Sequence, residues 1–180
     1  DVDKFMRLYF DNFWNEGEFL HRWIQQVWQT ELMLKSLNIK YVMHQAFYHH
    51  HTQMINQWDD KKYKDIDLIL VAHGHGDHLG DFEKIVKLSP KAKVSMNADM
   101  AKVLINKGKL DKEKYLPLNK SGVLNLFDNK LKVTMVRAEH SSALEINGDV
   151  HYGGEPVGFV LEFSNGRTLY HAGDTGVFGD

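Results

Sequence analysis

Apolar residues recur in pairs four positions apart through the first part of the chain. This spacing predicts amphipathic helices over about 3–14 and 18–36, with Gly17 interrupting between them. A weaker pattern continues to Trp58, and the polar run DDKKYKD at residues 59–65 reads as a linker. All four tryptophans lie before this linker. We therefore predict an aromatic-rich helical segment over residues 1–62.

The pattern changes at Ile66, where the continuous apolar run IDLILVA predicts a buried strand. LGDFEKIVKL follows with its apolar residues on one helical face, and Pro90 lies just beyond it. AKVSM predicts a short strand. NADMAKVLINKG predicts a helix with Asn97 as N-cap and Gly108 as terminator. The order is strand, helix, strand, helix.

Strand patterns dominate after residue 115. GVLNLF, KLKVTMVRA, GFVLEF and RTLYHAG each predict a strand, and DNK and SNGR between them predict hairpin turns. Together with the preceding strands and helices, these segments predict an α/β or α+β sheet domain over residues 63–180.

Composition narrows the classes of partner. The 180 residues include 43% hydrophobic and 26% charged residues, which is typical of a globular domain. With a net charge of -2, the chain lacks the excess of positive charge that is typical of proteins binding nucleic acid or an anionic membrane. The first residues lack the basic, apolar and small-residue regions of a signal peptide. No apolar run approaches the length of a membrane span, roughly 20 residues. We expect a soluble, cytoplasmic protein that binds neither nucleic acid nor membrane.

The stretch HGHGDH places His73, His75, Asp77 and His78 directly after the first predicted strand. A single histidine there is usually a surface residue, but this cluster leaves charge and lone pairs unbalanced unless a cation binds. The chain contains no cysteine, so transition-metal ligands must be imidazole and carboxylate groups. We expect an extended loop in which His73, His75 and Asp77 line one side and His78 the other, with glycines allowing sharp turns.

HGHGDH resembles the signature of the metallo-β-lactamase superfamily. VTMVRAEHSS, YGGEPVGFVLEF and TLYHAGDTGVFGD are similar to segments of its bacterial metal-dependent hydrolases, a branch related to sugar-acid lactonases. The resemblance covers about residues 64–180. It implies a partial αββα sandwich of metallo-β-lactamase type, to which the N-terminal helical segment is added.

The resemblance also implies a ligand set for two divalent ions. One ion would be bound by His73, His75 and His140, the other by Asp77 and His78, and Asp174 would bridge them. Asp77 would in addition act in catalysis, by orienting the attacking water or accepting its proton. Zinc is the expected metal, with manganese and iron as alternatives. Taken alone, His140 could merely cap a strand, and Asp174 could hold a turn.

The chain departs from the family at both ends. The Gly-His-Ser and Asp-Pro elements of relatives are not found in residues 1–63, and the sequence stops at Asp180, before their last histidine ligand. Two hypotheses follow. The first is a hydrolase that uses a metal-bound hydroxide on an ester, lactone or phosphoester bond of a small molecule. The second is a catalytically impaired metal-binding or interaction module, or a fragment of the hydrolase. A homo-oligomer would form through the helical segment or through an open sheet edge.

Overall fold

The computed structural model describes residues 63–178. The predicted helical segment over residues 1–62 lies outside these residues, so its helices over 3–14 and 18–36 stay predictions. No helix in the described part of the chain is long and apolar enough to cross a membrane.

The first half of the described chain follows the predicted order of strand, helix, strand and helix, with one additional short helix directly after the first strand. Its elements are β1 (Leu68–Leu70), α1 (Gly76–Leu79), α2 (Phe82–Leu88), β2 (Lys93–Ser95) and α3 (Ala98–Asn106), followed by a 3-10 turn at Lys112–Lys114. β1 and β2 pair in parallel, with Ile69 opposite Val94. The first strand is shorter than the apolar run that predicted it.

The second half consists of strands. They are β3 (Val123–Leu126), β4 (Leu131–Arg137), β5 (Ala143–Ile146), β6 (Asp149–Tyr152), β7 (Val157–Phe163) and β8 (Thr168–His171). Within the described residues, β3, β4, β7 and β8 form an antiparallel sheet in that order, and β5 and β6 form a separate hairpin. The four strands predicted from sequence are the four strands of the larger sheet.

The β5–β6 hairpin was not predicted. Its turn is Asn147-Gly148, with positive φ values of 55° and 84°, and Ile146 pairs with Asp149 across it. Asn-Gly is the preferred sequence for a tight hairpin turn because both residues tolerate positive φ. The sequence therefore contained the signal for this hairpin.

The hydrophobic core joins the parallel pair to its helices and to the hairpin. One cluster contains Val71, Phe82, Val94, Met96, Met100, Leu104 and Leu144, all at most 8% exposed. In the larger sheet, β4 buries Leu131, Val133 and Met135 on alternate positions. The two parts are tied where Val157 N–H donates to Ala72 O at 3.0 Å. This bond fixes the chain immediately before His73.

Asn97 connects the predicted helix to a distant loop. Its Oδ1 accepts from Met100 N–H at 2.9 Å, which is the N-cap predicted for α3. Its Nδ2 donates to Gly153 O at 2.8 Å and Glu155 O at 3.0 Å. The side chain is buried, so one residue both caps α3 and anchors the chain between β6 and β7.

Replacing Asn97 by alanine is expected to lower the free energy of unfolding by about 2–4 kcal/mol. A lost N-cap costs about 1 kcal/mol, and carbonyls left unpaired in a buried site cost about 1–3 kcal/mol. Denaturant unfolding measures the change. Asn125→Ala, at an exposed position of β3, is the matched control and should stay within about 0.5 kcal/mol. Similar losses in the two variants would contradict the anchoring role of Asn97.

Candidate metal centre

The HGHGDH segment begins extended and then turns into a helix. His73 and Gly74 continue from β1, but α1 begins at Gly76, so Asp77 and His78 lie on helical backbone. The prediction of an extended loop with alternating sides was therefore wrong. The backbone N–H groups of His78 and Leu79 donate to His75 O at 3.0 and 2.9 Å, which folds the chain back over His73.

The two glycines of the motif serve a different purpose from the predicted one. Neither Gly74 nor Gly76 has a positive φ. A Cβ on Gly74 would lie 3.0 Å from Ala143 O and 3.1 Å from Leu144 Cβ, whereas a Cβ on Gly76 would meet nothing within 4 Å. Gly74 is therefore required for close approach to the start of β5.

Three histidines converge at the end of β1. His73 Nε2 lies 3.1 Å from His75 Nδ1. The ring of His140 lies 5.0 Å from each of these rings, measured between centroids. One nitrogen from each of the three rings lies within 4.8 Å of the corresponding nitrogens of the other two. This is the geometry of a group that could hold one metal ion.

A second group lies on the other side of His73. His78 stacks at a tilt on His73, with 4.0 Å between ring centroids. His78 Nε2 lies 3.7 Å from Asp77 Oδ2 and 3.3 Å from Asp174 Oδ1. The other oxygen of Asp174, Oδ2, lies 3.8 Å from His140 Nε2. Asp174 thus faces both groups, and the structure brings together all six residues singled out in the sequence.

Unpartnered nitrogens show that the site suits a cation. Within residues 63–178, the buried His73 Nδ1 has no hydrogen-bond partner, and the buried His78 Nε2 makes no hydrogen bond although carboxylate oxygens of Asp174 and Asp77 lie 3.3 and 3.7 Å away. Burial, followed by the imidazoles of His78 and His75, lowers the pKa of His73 to about 4. The ring is therefore neutral at pH 7, the form that binds metals. Four imidazoles beside two carboxylates are a donor set for a divalent transition metal.

A short clamp places His140 beside Asp174. Glu139 N–H donates to Thr175 Oγ1 at 2.9 Å, and Gly176 N–H donates to Glu139 O at 2.8 Å. These bonds pair the residue before His140 with the residues after Asp174. The sequence analysis did not identify Thr175, because nothing local marks a partner more than thirty positions away.

Two serines after His140 were also missed. Ser141 Oγ lies 3.1 Å from His75 Nε2. Ser142 Oγ accepts from Gly74 N–H at 3.1 Å and lies 3.2 Å from Gly153 O, to which it donates. Their only signal in the sequence is adjacency to His140. In the structure they attach the segment after β4 to the HGHGDH segment.

Comparison with known proteins assigns the family. The model of the family described as "Beta-lactamase superfamily domain" matches residues 25–180. The chain belongs to this family. The resemblance to the metallo-β-lactamase superfamily is thereby confirmed, and the α/β fold agrees with it. The match begins at residue 25, so it includes part of the segment that the sequence analysis set apart as not family-like.

Members of the beta-lactamase superfamily similar to this chain include UPF0173 metal-dependent hydrolases. That of Cupriavidus taiwanensis is 39% identical over 64% of this chain and 42% of its own length. That of Koribacter versatilis is 43% identical over 67% of this chain and 49% of its own length. Igni18, a metallo hydrolase from Ignicoccus hospitalis, is 32% identical with a TM-score of 0.50, covering 63% of this chain and 44% of that one. The chain spans less than half the length of these relatives.

In this superfamily domain, Gly173 lies directly before Asp174 and packs closely against Ala72, the residue before His73. Its φ is 62°, and a Cβ there would lie 2.7 Å from Ala72 Cβ and 3.1 Å from Val157 O. Gly173→Ala is expected to cost about 1–3 kcal/mol of unfolding free energy because of the strained backbone and the collision. Thermal or denaturant unfolding of the metal-free protein measures it.

Gly176→Ala is the matched control for this substitution. A Cβ at Gly176 would meet only Glu139 O, at 3.6 Å, and its φ is not in the positive range. The control should change stability by less than about 0.5 kcal/mol. Equal stability of the two variants would show that close approach at Gly173 is not required.

Proposed function

We propose that this protein is a metal-dependent hydrolase whose site holds two divalent ions. The observation that carries the proposal is the division of Asp174 between two ligand groups. Its Oδ1 lies 3.3 Å from His78 Nε2, and its Oδ2 lies 3.8 Å from His140 Nε2. A carboxylate with one oxygen toward each group is suited to bridge two cations.

The proposal assigns His73, His75 and His140 to the first ion. His73 also lies within 4.8 Å of donor atoms of Asp77 and His78. One imidazole nitrogen binds one ion, and the contact of His73 Nε2 with His75 Nδ1 favours the first group. Asp77 and His78 are then assigned to the second ion.

Bound divalent ions lower the pKa of water toward neutrality and polarise the bond under attack. The side chain of Asp77 is 50% exposed, which leaves a carboxylate oxygen accessible from solvent. Asp77 therefore orients the attacking water or accepts its proton, in addition to its place in the ligand set. His73, which stays neutral when buried, contributes a lone pair without adding positive charge to the site.

The substrate proposed is a small molecule with an ester, lactone or phosphoester bond. A cavity of about 400 Å³ lies beside His75 and is lined in part by Gly76, Glu83, Lys109 and Glu145. Lys109 Nζ pairs with Glu83 Oε1 at 2.7 Å. The cavity is thus lined by side chains of both charge signs, and His75 is the candidate ligand that borders it. The names of the relatives support hydrolysis, and zinc is the proposed metal, with manganese and iron as alternatives.

Removing metal with a chelator is expected to abolish turnover of a responsive ester, lactone or phosphodiester, and added zinc should restore it.

Asp77→Asn should lower kcat at least about 100-fold, because the amide cannot accept the proton. Asp128→Asn, in the exposed turn between β3 and β4, is the control and should keep full activity. Metal-independent turnover, or no turnover across a panel of the three bond classes, would overturn the hydrolase assignment.

Metal content separates the hydrolase from a metal-binding module without catalysis. The purified chain is expected to bind two equivalents of zinc, measured by elemental analysis after dialysis. His75→Ala should lose the first equivalent, since it removes one of three nitrogens that hold it. Less than one equivalent in the unaltered chain would instead favour the impaired module.

A further inference from the structure

The ring of His75 lies between the imidazole of His73 and the hydroxyl of Ser141. Its Nδ1 lies 3.1 Å from His73 Nε2, inside the first ligand group. Its Nε2 lies 3.1 Å from Ser141 Oγ, on the opposite side of the ring. A neutral imidazole carries one proton, so the partner of one nitrogen decides whether the other is a donor or a lone pair.

We propose that Ser141 is a positioning residue that keeps the proton of His75 on Nε2 and so leaves Nδ1 free to bind a metal ion. The inference rests on the proposed function in that it assumes an ion in the first group. Ser141 Oγ accepts the Nε2–H bond, and the serine's own proton is directed to solvent, since Ser141 is exposed.

The backbone around Ser141 is held firmly enough for this role. The adjacent Ser142 is buried, and its Oγ accepts from Gly74 N–H at 3.1 Å. Gly74 itself lies against the start of β5, with no room for a side chain beyond hydrogen. The residue before His75 and the residue after Ser141 are therefore joined directly. This junction sets the distance between the His75 ring and the Ser141 hydroxyl.

His73 shows why such a partner matters for His75. The ring of His73 is fully buried among other imidazoles, so packing restricts its direction. His75 is only half-buried, and one side of its ring borders the open cavity. Rotation of this ring, or a proton on Nδ1, would remove the lone pair from the first group. The hydrogen bond from His75 Nε2–H to Ser141 Oγ opposes both changes.

The first test measures the tautomer of His75 directly in the full chain. Long-range proton–nitrogen NMR correlations on the metal-free protein at pH 8 distinguish a proton on Nε2 from one on Nδ1. We expect the Nε2–H tautomer in the unaltered chain and a mixture in Ser141→Ala. Ser141→Thr, which retains the hydroxyl, should restore the Nε2–H form. A predominant Nδ1–H tautomer in the unaltered chain, or no change in Ser141→Ala, would overturn the proposal.

The second test measures zinc affinity by competition with a chromophoric chelator. Ser141→Ala should weaken binding at the tighter site about 10- to 100-fold, the usual effect of removing a hydrogen bond to a metal-binding histidine. Ser164→Ala, an exposed serine in the turn after β7, is the control and should bind as the unaltered chain does. Equal affinity in the two variants would overturn the role of Ser141. The tautomer of His75 is measured without metal. An unaltered chain that bound no zinc would therefore refute the proposed function, and the NMR measurement would still test the effect of Ser141 on the tautomer.

Discussion

The candidate metal centre depends on the burial of one imidazole. His73 is completely buried, and the rings of His75, His78 and His140 surround it with centroid distances of 4.0 to 5.0 Å. Burial and repulsion from the neighbouring imidazoles lower the pKa of His73 to about 4, so this ring is neutral at pH 7. Within residues 63–178, the buried His73 Nδ1 and His78 Nε2 make no hydrogen bond. A cation bound beside Asp77 and Asp174 would give His78 Nε2 the partner that it lacks.

Contacts between distant segments hold this unfavourable cluster together. β1 delivers His73, the segment after β4 delivers His140, and the segment after β8 delivers Asp174. Glycines allow these segments to meet: the backbone at Gly74 lies against β5, and the backbone at Gly173 lies against Ala72. The favourable packing of the surrounding core therefore supports a site whose polar groups would be unstable by themselves.

Local patterns in the sequence predicted the elements but not all of their geometry. The cap at Asn97 and the order of strands and helices followed from short-range signals, and both are observed. The helical turn at Asp77 was missed because glycine and charged residues in HGHGDH carry no apolar periodicity. The β5–β6 hairpin was missed although Asn147-Gly148 marks it. The HGHGDH cluster itself marked four of the six candidate ligands, whereas His140 and Asp174 were selected by resemblance, since spacing along the chain does not bring them to that segment.

The residues that support the ligands could not be predicted for a physical reason. Ser141 Oγ and Thr175 Oγ1 each lie within hydrogen-bond distance of a group far away in sequence, at separations of 66 and 36 positions. A serine or threonine in a loop usually bonds to its own neighbours or to water, so its type and local context do not reveal such a partner. The fold creates the contact. It follows that the candidate ligands in HGHGDH are marked in the sequence, whereas the orientation of the candidate ligands is determined by tertiary structure.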